Sequence, residues 1–344
     1  MYVKVPGCQA KMPVVSPVAA ATAGSLHQRG ASLLSSTNNT VILERPRETV
    51  ADILGRRSDG PAILEIGFGN GEFLAHLAAQ SPDGTFFGIE VSMQAIMRTW
   101  KRANRMYLDN VFLLYGDARF LLRECFPQET FDHIYMNFPC PWPKNRHAKR
   151  RVTSGDFGDT LVSSLSVGGV FELATDDPVF GFEARQKLGS RPDLDLEMEL
   201  QNTPGPVTTK YERKWLDQSK DILRFGFKKN RAFSLVPVCG GETEVHATLE
   251  RECPSLDDLS LLCGREGGTS EKRWVFRESY RSAEGVMLIE VVTSDDGFQQ
   301  SFFVRIVPKT GECLIKADRM TRPFWTPAAK SAFGDLAAIL GASG

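Results

Sequence analysis

At 344 residues the chain is long enough for two domains. With 41 Lys and Arg against 42 Asp and Glu its formal charge is -1, which excludes a polycation, so any nucleic-acid contact has to come from local patches. No apolar run reaches the length of a membrane span, and Pro13 and Pro17 interrupt the Ala- and Val-rich stretch near the start, which argues against a signal peptide.

Residues 1–40 are rich in Ala, Ser, Thr and Gly without periodicity, and predict a flexible arm. Val41-Ile42-Leu43 is a candidate short strand. From about residue 60 to 230 strands alternate with helical segments, the pattern of a parallel sheet covered on both faces. The first long strand, Ile63 to Ile66, runs into Gly67-Phe68-Gly69-Asn70-Gly71 and then a helix. Glycine permits the positive φ of a tight turn and lets the backbone approach a ligand. The carboxylate of Glu65 beside this turn would repel a dinucleotide pyrophosphate, which the G-x-G-x-x-G spacing serves and this G-x-G-x-G does not. The pair suits a ligand with a cationic end, such as S-adenosylmethionine.

The second strand, Thr85 to Glu90, ends in an acid about 20 residues after Gly71, the distance at which a carboxylate reaches ribose hydroxyls. Arg98, Lys101, Arg102 and Arg105 follow at helical spacing as a basic stripe. A third strand, Val111 to Tyr115, leads to Asp117, placed to accept from an adenine amino group. Singly each acid could be a helix cap or a solvated charge; three acids after three successive strands favour one adenosyl pocket. The fourth strand, Phe131 to Met136, opens Asn137-Phe138-Pro139-Cys140-Pro141-Trp142-Pro143-Lys144. The prolines stiffen the turn and Trp142 offers a face on which a base can stack, although a rigid turn with a core tryptophan reads the same way. Lys144 to Arg151 holds five Lys or Arg in eight positions, which next to a stacking aromatic suits phosphate contacts. Gly169 to Ala174 is the fifth strand. Leu194 to Leu200 and Ile222 to Lys228 close the set around a polar loop whose length predicts a functional segment.

Beyond residue 235 the pattern changes to polar–apolar alternation over Glu242 to Leu249, Lys272 to Tyr280, Val286 to Val292, Ser301 to Val307 and Cys313 to Ala317, then a helix ending near Leu340. This predicts an α+β domain over 236–344. Trp274, Phe276, Tyr280, Phe302 and Phe303 there are read mainly as core, with a nucleic-acid surface as the rival reading. Arg273, Arg277 and Arg281 recur every four residues, which fits a helical face as well as a strand. The seven cysteines show no metal-binding spacing, and their odd number and irregular placement favour reduced thiols and a cytoplasmic protein with no metal.

Together the strings EIGFGNG, GIEVS, GDA, NFPCPWPKNRHAKRR, ELATDD and TTKYERK, over about residues 60–230, resemble the tRNA (guanine-N7)-methyltransferases. The resemblance implies a Rossmann-like class I methyltransferase sheet flanked by helices over 41–235. It implies S-adenosylmethionine as cofactor and guanine N7 in the tRNA variable loop as target. It places Glu65, Glu90 and Asp117 at the cofactor, beside which Gly67, Gly69, Gly71 and Asn137 are read as cofactor-binding. It places Lys144, Asp176, Thr209 and Glu212 at the tRNA or its guanine, where Trp142, Arg146, Lys149, Arg150 and Arg151 are read as stacking and phosphate contacts. The family pattern is F-P-D-P-W, whose aspartate is the central active-site residue; here Cys140 stands at that catalytic position. Guanine N7 has an in-plane lone pair and no proton at neutral pH, so its methylation needs no general base and rests on proximity and orientation. The aspartate's work is then to orient guanine, which a thiol does weakly. Two alternatives follow: a catalytically impaired tRNA-binding homologue, and an N-methyltransferase on another substrate. Short members of the family end near residue 230, so residues 236–344 are an extension whose role the family does not supply, and the sequence sets no oligomeric state.

Overall fold

The computed structural model describes residues 40–42, 46–56, 59–141, 151–209, 212–214, 218, 220–239, 245–295, 298–318, 321 and 323–342. The expected arm over residues 1–39, together with Trp142, Lys144, Arg146, Lys149 and Arg150, lies outside the described residues.

The first part of the chain builds an eight-stranded sheet. Its strands are β1 (Thr40–Ile42), β2 (Ala62–Ile66), β3 (Thr85–Glu90), β4 (Val111–Tyr115), β5 (Phe131–Asn137), β6 (Leu165–Thr175), β7 (Leu194–Gln201) and β8 (Leu223–Lys229). They lie in the order β1-β4-β3-β2-β5-β6-β8-β7. Helices α1 (Pro46–Gly55), α2 (Glu72–Gln80), α3 (Met93–Arg105), α4 (Ala118–Cys125), α5 (Gly155–Ser164) and α6 (Pro178–Gly189) connect them. The central strands are apolar on both faces because helices cover both: Phe86, Phe87, Phe131, Phe171, Phe225 and Phe227 are fully buried, each worth about 1.5–3 kcal/mol of burial.

β1 to β6 run parallel, but β8 is antiparallel to both β6 and β7. The sheet is therefore mixed where the strand–helix alternation predicted a parallel one. β8 lies between β6 and β7 and pairs antiparallel with both, so it reverses the direction that β1 to β6 share. The strand order reverses between β2 and β5, which makes the carboxyl ends of those two strands the place where an open α/β sheet receives a ligand.

Residues after 245 form a six-stranded antiparallel sheet. Its strands are β9 (His246–Leu249), β10 (Glu266–Gly268), β11 (Lys272–Arg281), β12 (Met287–Asp295), β13 (Phe298–Lys309) and β14 (Glu312–Ala317). They lie in the order β10-β11-β12-β13-β14-β9, with a short α7 (Leu256–Ser260) and a terminal α8 (Pro327–Ala342). The period-2 pattern turns Ile289, Val291, Phe302, Val304, Ile306 and Ile315 into a core shared with Phe333, Leu336 and Leu340 of α8. Trp274 and Phe276 belong to that core, while Tyr280 is exposed and meets Phe303 edge-on at 5.9 Å.

The four-residue recurrence of Arg273, Arg277 and Arg281 is not a helix. All three lie on β11, on either side of an irregularity between Phe276 and Ser279, and each is exposed. A second correction concerns the thiols. Cys253 and Cys313 form a disulfide with a Cα–Cα distance of 4.9 Å, so the reading of all cysteines as reduced does not hold. The two are 60 residues apart in sequence, and only the pairing of β14 with β9 brings them together.

Candidate functional site

The glycine turn is built on backbone that only glycine adopts freely. Gly67, Gly69 and Gly71 have φ of 72°, 55° and 65°. The Gly67 amide donates to Ile89 O at 2.8 Å, the Gly71 amide to Phe68 O at 2.8 Å, and the Gly69 amide to Glu90 Oε2 at 3.2 Å. A Cβ on Gly71 would stand 2.2 Å from Cγ2 of Thr99 on α3, whereas one on Gly67 would meet nothing within 4 Å. Gly71→Ala is accordingly expected to cost about 2–3 kcal/mol, from backbone strain plus overpacking, and Gly67→Ala about 1–2 kcal/mol from strain alone. Urea unfolding of the two variants checks the difference; equal losses would contradict this account of the turn.

A cavity of about 130 Å3 opens on this turn, lined by Glu65, Gly67, Gly69, Glu90 and Asn137 together with Phe138 and Thr209. Gly71 and Asp117, also expected at the cofactor, are not part of its lining. Gly71 supports the turn from behind, against Thr99. Asp117 caps α4 by accepting from the Arg119 amide at 3.0 Å, and the Arg119 guanidinium pairs with its carboxylate.

Glu90 is fixed by backbone: besides Gly69 it accepts from the amides of Val91 at 2.8 Å and Ser92 at 3.0 Å. Glu65 is different. It is 2% exposed, and its Oε1 accepts from Asn137 Nδ2 at 3.2 Å, while its Oε2 is buried with no hydrogen-bond partner. The Leu74 amide in the first turn of α2 favours the charged form. Burial dominates, reinforced by the negative charge of Glu90, and pushes the Glu65 carboxyl up from 4.5 to about 7.

An orphaned carboxylate oxygen in a cavity that also presents Glu72 and Glu90 fits a ligand with a positive end. A cation there would bind the ionised form and release a proton. Binding of S-adenosylhomocysteine, whose ammonium supplies the charge, is therefore expected to strengthen by about tenfold per pH unit below about pH 7 and to level off above it. The unliganded fold has the opposite dependence. A carboxyl raised to about 7 contributes stability that is full below its ordinary value of 4.5 and is lost as pH rises through 7, about 3 kcal/mol in all. Calorimetry across pH, in buffers of different ionisation enthalpy, reads both the affinity and the released proton; an affinity flat from about pH 6 to about pH 8 would contradict this.

Next to it lies a cavity of about 470 Å3 lined by Phe138, Pro139, Cys140, Pro141, Asp176, Asp177, Pro178 and Lys220. Phe138 lines both cavities. Its φ of 52° is unusual for a bulky residue, and its amide donates to Ala174 O at 2.7 Å, which pins the proline turn to β6. Cys140 is an exposed free thiol at the wall. Asp176 pairs with Lys220 at 2.6 Å. Asp177 caps α6 by accepting from Phe180 at 3.0 Å.

The expected tRNA residues divide. Cys140 and Asp176 meet in the larger cavity, and Thr209 reaches the smaller one. Glu212 is buried, with its carboxylate bound to Arg224 at 2.7 Å and to the Gly205 amide at 3.4 Å; it holds the loop rather than lining either cavity. Arg151 is bound to Glu183 of α6 at 2.7 Å. On α3, Arg98, Lys101 and Arg105 are exposed as the helical spacing predicts, while Arg102 turns inward to Asn70 O at 3.2 Å and to Glu72 at 3.6 Å. Two participants escaped the sequence reading. Glu72 lines the smaller cavity and pairs with Arg213 at 3.1 Å, tying the loop that carries Thr209 to the glycine turn; its place directly after Gly71 was the available signal. Lys220 sits in a stretch without periodicity and gave none.

Comparison with known proteins agrees with this geometry. A family model described as "Putative methyltransferase" matches residues 59–225. A Thermotoga maritima protein named tRNA (guanine-N(7)-)-methyltransferase is 36% identical over 282 residues, covering 81% of this chain and 88% of that one. A Thermus thermophilus protein of the same name is 32% identical over 311 residues, covering 88% and 95%. A third, from Aquifex aeolicus, is 30% identical over 257 residues, covering 73% and 84%.

Proposed function

This chain belongs to the tRNA (guanine-N(7)-)-methyltransferase family, and from that premise we propose that it transfers a methyl group from S-adenosylmethionine to N7 of a guanine in tRNA. The observation that carries the reading is the buried, unpartnered Glu65 oxygen beside a glycine turn, in a cavity that shares Phe138 with a second one wide enough for a base.

When bound, S-adenosylmethionine supplies a methyl group on a sulfonium, whose positive charge is discharged on transfer. Glu65, steadied by Asn137, holds the cationic methionine end. Glu90 keeps one lone-pair site beyond its three backbone donors for ribose. Asp117 serves the adenine once Arg119 yields it. The larger cavity, which Phe138 also lines, takes the guanine, with Cys140 at its wall and Asp176, held by Lys220, as the acceptor for guanine N–H groups. Nothing has to remove a proton from N7, so alignment of the lone pair with the methyl carbon, in a site closed to water, is the work left for these residues. Thr209 closes the cofactor side, and Trp142, Lys144, Arg146, Lys149, Arg150 and the α3 stripe supply stacking and phosphate contacts.

The target is assigned to the tRNA variable loop, with residues 41–235 as the catalytic domain and 236–344 as an appended one. No helix among the described residues is long and apolar enough to cross a membrane. The tRNA substrate supports a cytoplasmic assignment. Neither alternative is favoured: the relatives bear the name of a tRNA enzyme, and nitrogen methylation needs no general base from the group that Cys140 replaces. Incubating the protein with unmodified tRNA transcripts and methyl-labelled donor is expected to label the RNA; donor and tRNA binding without transfer would instead mark the impaired homologue.

A further inference from the structure

We propose that the C-terminal sheet domain positions the adenosyl side of the cofactor site by clamping α4. The inference rests on the cofactor reading above and assigns a task to residues 236–344 in the same reaction.

Helix α4 is short and starts at Asp117, which the cofactor reading assigns to the adenine. Its cap is Asp117, preceded by Gly116 at φ 150°, and the Gly116 amide donates to Glu90 O at 3.0 Å. A shift of the first turn of α4 therefore moves Asp117, and through one backbone hydrogen bond it pulls on the acid that serves the ribose. Eight residues hold a helix weakly by themselves, so its position depends on what packs around it.

Helices α5 and α1 pack on it, Arg47 of α1 binds Glu124, and residues after 230 add a further set of contacts. Phe120, in the first turn, stacks on Phe298 of β13 with centroids 3.7 Å apart and planes 7° from parallel, and meets Phe324 edge-on at 4.6 Å. Gln300 fixes Phe324 in turn, donating to its carbonyl at 2.8 Å and accepting from its amide at 2.9 Å. The last turn is tied to the segment that leads into the second sheet. Arg123 donates to Val236 O at 2.7 Å, and the buried Glu124 accepts from the amides of Val238 at 2.6 Å and Cys239 at 3.0 Å. Both ends of α4 are thus gripped by the C-terminal part of the chain, and the end that starts at Asp117 is gripped by aromatic rings.

Phe298 is a positioning residue on this account, and the test separates it from a tRNA-binding role of the same domain. In full-length protein, Phe298→Ala is expected to weaken binding of S-adenosylhomocysteine by calorimetry about tenfold and to raise the KM for S-adenosylmethionine in step. The KM for tRNA and kcat should stay within about twofold. Phe298→Leu, which keeps apolar volume without the flat ring, should fall between and guards against a variant that unfolds. Leu261→Ser, on the exposed end of α7, is the control and should bind as wild type does. Because coupling is reciprocal, S-adenosylhomocysteine bound to the unaltered protein should slow amide exchange at Phe298 to Gln300 as well as over α4. Unchanged cofactor affinity in both Phe298 variants, a raised tRNA KM at constant cofactor affinity, or exchange at Phe298 to Gln300 indifferent to the ligand would each overturn the proposal. Wild-type protein that fails to bind S-adenosylhomocysteine would overturn the functional reading instead.

Discussion

Glu65→Gln is expected to weaken binding of S-adenosylmethionine by about a hundredfold or more above about pH 7, while leaving the unliganded fold as stable as before or slightly more stable. The two halves of the expectation have one cause. In the free protein Glu65 is a buried carboxylate with a single side-chain partner, Asn137, and an orphaned second oxygen. Glutamine is its isostere, keeps an acceptor for Asn137 and removes the charge that burial penalises, so the free fold loses nothing. The complex loses one member of a buried ion pair, which costs about 3–5 kcal/mol. It also loses this pH dependence, since the carboxyl that releases the proton is gone. Calorimetric affinity and urea midpoint, measured on the same preparation, check both halves. A variant that binds normally, or one that loses stability and affinity together, would mean that Glu65 serves the fold and not the ligand.

Cys140→Asp is expected to raise kcat/KM for tRNA by about tenfold or more, and Cys140→Ala to change it by less than about threefold. A carboxylate accepts charge-assisted hydrogen bonds from guanine N–H groups worth about 1.5–3 kcal/mol, where a thiol accepts weakly. The wall already carries Asp176 and Asp177, but Lys220 lies 2.6 Å from Asp176 and offsets part of the added negative charge. The alanine variant decides the chemistry of the native residue: a loss of activity by orders of magnitude would make the thiol a nucleophile, which attack by a nitrogen lone pair does not need. Steady-state kinetics on unmodified tRNA transcripts reads both variants.

The cofactor half of the site was legible because its chemistry is local. Strand, glycine turn and acid follow one another within nine residues from Ile63 to Gly71, and each glycine predicted at positive φ has it. The strand ends at Glu90 and Tyr115 were readable from continuous apolar runs bounded by turn residues, and the end read at Met136 falls one residue short of Asn137. What escaped depends on contacts distant in sequence. The burial of Glu212 against Arg224 requires β8 to return antiparallel beside β6 and β7, and the sequence between carries no signal of direction. Lys220 meets Asp176 across 44 residues. The Cys253–Cys313 disulfide follows from the register of β14 with β9, where Cys313 faces Leu249, and spacing alone predicts no such pairing. The arginines of β11 read as a helical face because a four-residue interval is close to one helical turn and is also two periods of strand alternation. The basic run from Lys144 to Arg150 is a sequence-level expectation only, since it lies outside the described residues.

The most direct test of the central claim is the position of the transferred methyl group. Unmodified tRNA transcripts are incubated with the protein and methyl-labelled S-adenosylmethionine, digested to nucleosides and resolved by mass spectrometry. The account predicts that the label is found in 7-methylguanosine and that cleavage at this base maps it to the variable loop. Label in any other nucleoside, or none while a Thermotoga maritima relative is active on the same transcripts, would contradict it.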